Sequence, residues 1–197
     1  MNAQTVLEFM EEVGKLKVLP RTGWLLRGLQ ADAESIAEHC FRMSLLSMVI
    51  ADLLVQEGQT VNVEKVMRIA LLHDVAEAKI SDIPYPAMAY IPEDVKEAGE
   101  REAIRDMTRG FGALGETYTA LWREFEESST LEGRIVRAAD KLELMIQAYE
   151  YQKIGYQSLG DFWTNMANFK GFAEHPIMQQ IMDLLVERRQ QLSSNSK

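Results

Sequence analysis

In the stretch IALLHDVAEAKISDIP, residues 69–84, the ionisable residues His73, Asp74, Glu77 and Asp82 fall within ten positions of one another in otherwise apolar sequence. An ionised carboxylate is costly to bury, so such a cluster requires solvent, counter-charges or a cation. His39 and Asp140 extend the set, because both lie in segments with helical apolar spacing, and an aspartate inside a helix lowers its propensity and needs a partner if buried. Imidazole nitrogen and carboxylate oxygen suit zinc, manganese, cobalt, nickel or ferrous iron far better than calcium. Two aspartates would neutralise a doubly charged ion. Each residue also has a simpler account. A His–Asp pair on a helix edge can simply face water, a lone core histidine usually bonds a backbone carbonyl, and Asp140 can pair with Arg137 or Lys141.

The elements that would bring these residues together all read as helices. Ile36, Cys40, Met43, Ser47, Ile50 and Leu54 recur at spacings of three and four. Ser35 with Glu38 has the form of a capping box and Gly58 supplies a stop, so His39 should sit in the first turn of a long helix. A second helix is expected from about Val63 to Lys79, stacking His73 on Glu77 with Asp74 about 100° around the same helix. Others are expected from about Pro92 to Arg109, with Pro92 at the first helical position, and from Glu116 to Glu127. Ser129 and Glu132 form a second capping-box pattern before a long helix that carries Asp140 and ends at Gly155. A last helix follows Pro176, and shorter ones are expected near Thr5–Leu16 and Asp161–Asn168. There is no alternating strand pattern and no repeat, and the only low-complexity run is the polar tail SSNSK. The expectation is one all-α domain over residues 1–197, with a core of about 5–155 and C-terminal helices over about 156–193.

The totals narrow the function further. At 197 residues and 47% hydrophobic content the chain is long enough for a sizeable core. A formal charge of −9 argues against a nucleic-acid polymer as partner, although one small phosphate needs only a local arginine or metal. Cys40 is the sole cysteine, which excludes a disulfide framework and a thiolate zinc site and suits a reducing compartment. The N-terminus lacks a basic leader, and no apolar run approaches the eighteen or so residues of a membrane span. A cytoplasmic protein without membrane contact is expected.

His39, the pair His73–Asp74 and then Asp140 follow the order seen in the HD-domain metal-dependent phosphohydrolases, which this sequence resembles. With PRTGW at 20–24, SIAEH ending at His39, LLHDVAEAKISDIP and AADKLE, the chain is similar over roughly residues 5–155 to the 5'-deoxynucleotidase family and its HD domain-containing relatives. The resemblance implies the helical HD-domain fold and one divalent cation (cobalt, manganese, zinc, nickel, iron or magnesium) held by His39, His73, Asp74 and Asp140. It implies that Glu77 exchanges a proton with the metal-activated water or the leaving group, and that Asp82 orients the water or binds a sugar hydroxyl. By the same resemblance Arg21 holds the phosphate and Trp24 packs on the sugar, favouring deoxyribose. Here Thr22 and Gly23 separate Arg21 from Trp24, where bacterial members have arginine and tryptophan adjacent. Arg27 is a rival for the phosphate, and Trp24 can equally be an ordinary buried aromatic. Only His175 remains in reserve, which favours one metal over two. The implied activity is a 5'-nucleotidase of nucleotide metabolism that releases phosphate from deoxyribonucleoside 5'-monophosphates. The alternatives are a phosphohydrolase for another small phosphorylated metabolite and a non-catalytic HD-fold ligand-binding or assembly protein. Relatives are commonly dimers, so a homodimer is expected, with MIQAYEYQKIGY, residues 145–156, as a candidate interface.

Overall fold

Ser35 opens the helix that carries His39, and it does so with the expected reciprocal cap: its side chain accepts the Glu38 N–H at 3.2 Å while Glu38 Oε2 accepts the Ser35 N–H at 2.7 Å. The computed structural model describes residues 3–31 and 33–195. In chain order its α-helices are α1 (Ala3–Gly14), α2 (Thr22–Leu25), α3 (Ile36–Gln56), α4 (Val63–Leu72), α5 (Glu77–Ile80), α6 (Glu93–Thr108), α7 (Ala113–Glu126), α8 (Leu131–Lys153), α9 (Gly160–Thr164) and α10 (Pro176–Asn195). Among the described residues there is no strand, only a single antiparallel bridge between Pro20 and Ser35. None of these helices is long and apolar enough to cross a membrane. The last two residues of the SSNSK tail lie outside the described residues.

The two longest helices of the interior, α3 and α8, pack side by side, with α4 against both, α7 against α4 and α8, and α10 along α8. Of the face of α3 read from periodicity, Ile36, Met43, Ser47, Ile50 and Leu54 are each at most 1% exposed, and Cys40 is half-buried. Gly133 lets α8 start hard against the end of α7, since a Cβ there would lie 2.3 Å from the Glu124 carbonyl oxygen.

Several boundaries differ from the sequence expectation. The helix expected to run from Val63 to Lys79 stops at Leu72, and the N–H groups of Val75, Glu77, Ala78 and Lys79 then bond carbonyls three residues back, at Leu72, Asp74, Val75 and Ala76. This tighter winding eclipses residues three apart, so Glu77 stacks on Asp74 and not on His73. The segment closes at Ser81, whose φ of 65° is unusual for a residue with a side chain and turns Asp82 back toward α2. The cap of α8 is Thr130, which accepts the Gly133 N–H at 3.1 Å; Glu132 instead accepts the Asn62 N–H at 3.1 Å. Pro92 is a cap one residue before α6, α7 starts three residues early, and the helix expected over Asp161–Asn168 is split into α9 and a 3-10 turn at Met166–Phe169.

Candidate metal centre

His39 lies four residues beyond the Ser35 cap, fully buried, with Nδ1 2.5 Å from Glu143 Oε2. His73 closes α4, and its Nδ1 lies 2.9 Å from the Ala70 carbonyl oxygen. A carbonyl can only accept, so that ring carries its proton on Nδ1 and offers a lone pair at Nε2. Both Nε2 atoms are buried, and neither makes a hydrogen bond. They converge on carboxylates. Asp74 Oδ2 is 3.0 Å from His73 Nε2 and 3.6 Å from His39 Nε2, and Asp140 Oδ1 is 3.4 Å from His39 Nε2. Donor atoms of His39, His73 and Asp74 lie within 4.8 Å of one another, and two orphaned imidazole nitrogens facing carboxylates fit a divalent cation of the transition series. The solvated-edge account of the His–Asp pair fails, because His73 is 3% exposed. Asp140 does approach Lys141, at 3.5 Å, whereas Arg137 is engaged with Glu126 and the end of α7.

The charges are organised around this point. Burial opposes ionisation of Asp74, but His73, Arg21 and His39 outweigh it and hold its carboxyl below the usual range; Lys141, His39 and Arg21 do the same for Asp140. For His39, burial and Arg21 act downward, yet Asp140 and Glu143 outweigh them and raise it to about 9.

Arg21 enters from the side, with Nη1 3.1 Å from Asp74 Oδ2 and Nη2 4.0 Å from Asp140 Oδ1. Its backbone is clamped on both flanks. The Arg21 N–H donates to the Glu34 carbonyl at 2.9 Å, and the next N–H, from Thr22, donates to Asp82 Oδ2 at 2.6 Å while Thr22 Oγ1 donates to the Asp82 carbonyl at 2.8 Å. Asp82 therefore holds the arginine-bearing turn in place. Glu77 is 7% exposed with Oε2 unpartnered, and burial, followed by the charges of Asp74 and Asp82, pushes its carboxyl well above the usual range.

Placement bears on three further expectations. Trp24 is 1% exposed, its ring against Phe162 and Tyr151 and its Nε1–H donating to Glu34 at 2.9 Å; it is the ordinary buried aromatic, with no face left for a sugar. Arg27 is turned away, paired with Asp161, donating to the Gly23 carbonyl and lying over the Phe162 ring. Of the stretch expected at an interface, Met145, Ala148 and Tyr151 are buried inside the chain while Ile154 is exposed; α3 also exposes Phe41, Leu45 and Val49.

Glu143 was not among the residues singled out by type and spacing. It lies in AADKLE, one turn beyond Asp140, and its burial is set by His39 and Arg42, about a hundred positions earlier. The one local signal was a second acid at i+3 on an otherwise apolar helix face.

The family model described as HD domain matches residues 13–185. The 5'-deoxynucleotidase HDDC2 of Homo sapiens is 36% identical over 190 residues, covering 94% of this chain and 87% of that protein. The 5'-deoxynucleotidase hdd1 of Schizosaccharomyces pombe is 32% identical over 196 residues, covering 94% of this chain and 91% of its own. Among solved structures, a conserved hypothetical protein from Pyrococcus furiosus matches with a TM-score of 0.78 at 34% identity, over 90% of this chain and 99% of that one.

Proposed function

This chain belongs to the HD domain family, and from that premise we propose that it is a metal-dependent phosphohydrolase, a 5'-nucleotidase acting on deoxyribonucleoside 5'-monophosphates. The observation that carries the reading is the convergence of two buried, unpartnered imidazole nitrogens on Asp74 and Asp140, beside a clamped arginine. The deoxynucleotide class is supported by the names of relatives 31–36% identical over nearly the whole chain.

His39, His73, Asp74 and Asp140 would hold the divalent cation. Such an ion lowers the pKa of water and polarises a phosphoryl oxygen. Arg21 reaches the same point from the side, where its planar guanidinium can pair with phosphoryl oxygens. Asp82 keeps Arg21 in register through Thr22. Glu77, stacked on Asp74, exchanges the proton: as water oxygen bonds to phosphorus and the P–O5' bond breaks, the alkoxide must be protonated, and a carboxyl buried with a free oxygen suits that exchange.

The test is phosphate release from a panel of deoxyribo- and ribonucleoside monophosphates, with cobalt, manganese, zinc and magnesium in turn. Release from the deoxyribonucleotides in preference to the ribonucleotides is expected. Release from other phosphorylated metabolites alone would move the substrate class. A metal-loaded chain that releases phosphate from nothing on the panel would make it a binding or assembly protein.

A further inference from the structure

Glu143 is fully buried, lies outside the four ligands, and has no task in the reaction. We propose that it is a positioning residue for metal binding: it holds the His39 ring with Nε2 toward Asp74 and Asp140, and Arg42 in turn holds the Glu143 carboxylate. This inference rests on the metal-dependent reading above.

The two oxygens of Glu143 are divided between two partners. Oε2 meets His39 Nδ1 at 2.5 Å, and Oε1 accepts Arg42 Nε at 2.8 Å and Nη2 at 2.6 Å. Arg42 is itself fixed from outside by Gln147 Oε1 at 2.5 Å and Glu150 Oε2 at 2.6 Å. The order from the surface inward is therefore Glu150 and Gln147, Arg42, Glu143, His39 and then the point that Asp74 and Asp140 both approach.

A purely structural role accounts for this poorly. Desolvating an ion pair offsets most of its attraction, and apolar groups of similar volume generally stabilise a fold as well or better. What the carboxylate supplies that an apolar group cannot is a fixed ring orientation, one defined protonated nitrogen and a more basic nitrogen opposite. His73 gains the same orientation from a neutral carbonyl, which pushes less electron density to its Nε2. A second cation between Glu34, His39 and Glu143, whose donor atoms also lie within 4.8 Å, is disfavoured because Arg42 already supplies the positive charge and His39 Nδ1 is taken. The spacing reinforces the assignment. Asp140 and Glu143 are three apart on α8, and His39 and Arg42 three apart on α3, so one turn of α8 faces one turn of α3 and brings Glu143 onto both His39 and Arg42.

The experiment titrates cobalt(II) into the full chain after chelation, for wild type, Glu143→Gln and Arg42→Gln, with circular dichroism on each sample. Glu143→Gln keeps the shape and removes the charge, so affinity should fall 10–100-fold, while kcat at saturating cobalt changes little. Arg42, with its side chain one-third exposed, can be replaced without opening the core, and Arg42→Gln should weaken cobalt several-fold. With three histidines in the chain, the His39 Nδ1 proton can be assigned by NMR, and it should move upfield in Glu143→Gln. A wild type that binds cobalt while both variants bind it equally well overturns this proposal alone. If Glu143→Gln fails to fold, wild-type affinity in a folded Arg42→Gln overturns it. A wild type that binds no divalent cation overturns the metal-dependent reading itself, and this proposal with it.

Discussion

Glu77 and Arg21 approach Asp74 from different sides, and their surroundings predict different defects. Glu77 has one oxygen without a partner and lies one tight turn beyond Asp74, near the ligands but not among the converging donor atoms. Glu77→Gln should therefore keep its full metal content while kcat falls about 10²–10⁴-fold, the usual contribution of a positioned acid or base. Metal stoichiometry and turnover measured on one sample check this; loss of the metal would make Glu77 a ligand. Arg21 is held by its backbone with its guanidinium on Asp74, beside Asp140, so Arg21→Ala should raise KM for a nucleoside monophosphate at least tenfold, since a charge-assisted pair contributes roughly 1.5–3 kcal/mol. Arg27→Ala should leave KM near wild type, because that side chain spends its donors on Asp161 and Gly23. The reverse result in initial-rate measurements would transfer the phosphate to Arg27. The candidate ligands were legible from sequence because histidine and aspartate stand out inside apolar helices. Glu143 was not, since on its own helix it looks like one more solvated acid.

At the scale of elements, legibility followed the range of the interaction. The α3 cap could be read because Ser35 and Glu38 complete it between themselves. Removing it with Ser35→Ala should cost about 1 kcal/mol of stability, seen as a lower urea midpoint with unchanged slope. No loss at all would mean that packing of Ile36 and His39 alone holds the first turn. The start of α8 could not be read in the same way. Ser129 and Thr130 are both hydroxyl residues, and the choice between them falls to the close approach of Gly133 to the end of α7, a contact between two helices. The change of pitch after Leu72 was equally hidden. Ala76, Glu77, Ala78 and Lys79 are good helix formers, yet tertiary demand winds them tighter, placing Glu77 over Asp74 and turning the chain at Ser81 so that Asp82 reaches Thr22.

For the whole molecule, four donor residues spread over α3, the end of α4 and α8 mean that an ion held there ties three parts of the chain together. Binding to the folded state alone stabilises it by about 2.7 kcal/mol at a concentration one hundred times Kd. For a chain of this size that corresponds to roughly 5–10 °C in Tm. Cobalt should raise the Tm of wild type by this order and a chelator should reverse it, whereas Asp140→Ala should show no shift in differential scanning calorimetry. A full shift in that variant would remove Asp140 from the ligand set. The contact between α3 and α8 also bears on how related sequences should be judged for activity. His39 faces Asp140 and Glu143, and Arg42 faces Glu143, Gln147 and Glu150, so the most polar part of the interior is also the seam between these two long helices. A descendant that abandoned catalysis could not let these residues drift freely, because losing Arg42 would strip a buried glutamate of its guanidinium and losing His39 would leave Glu143 Oε2 without a partner. His39, Arg42 and Glu143 should thus outlive turnover in such lineages. Glu77, with a buried oxygen that nothing in the fold occupies, is under no such restraint, and its replacement in a homologue is the more telling mark of an enzyme that has stopped working.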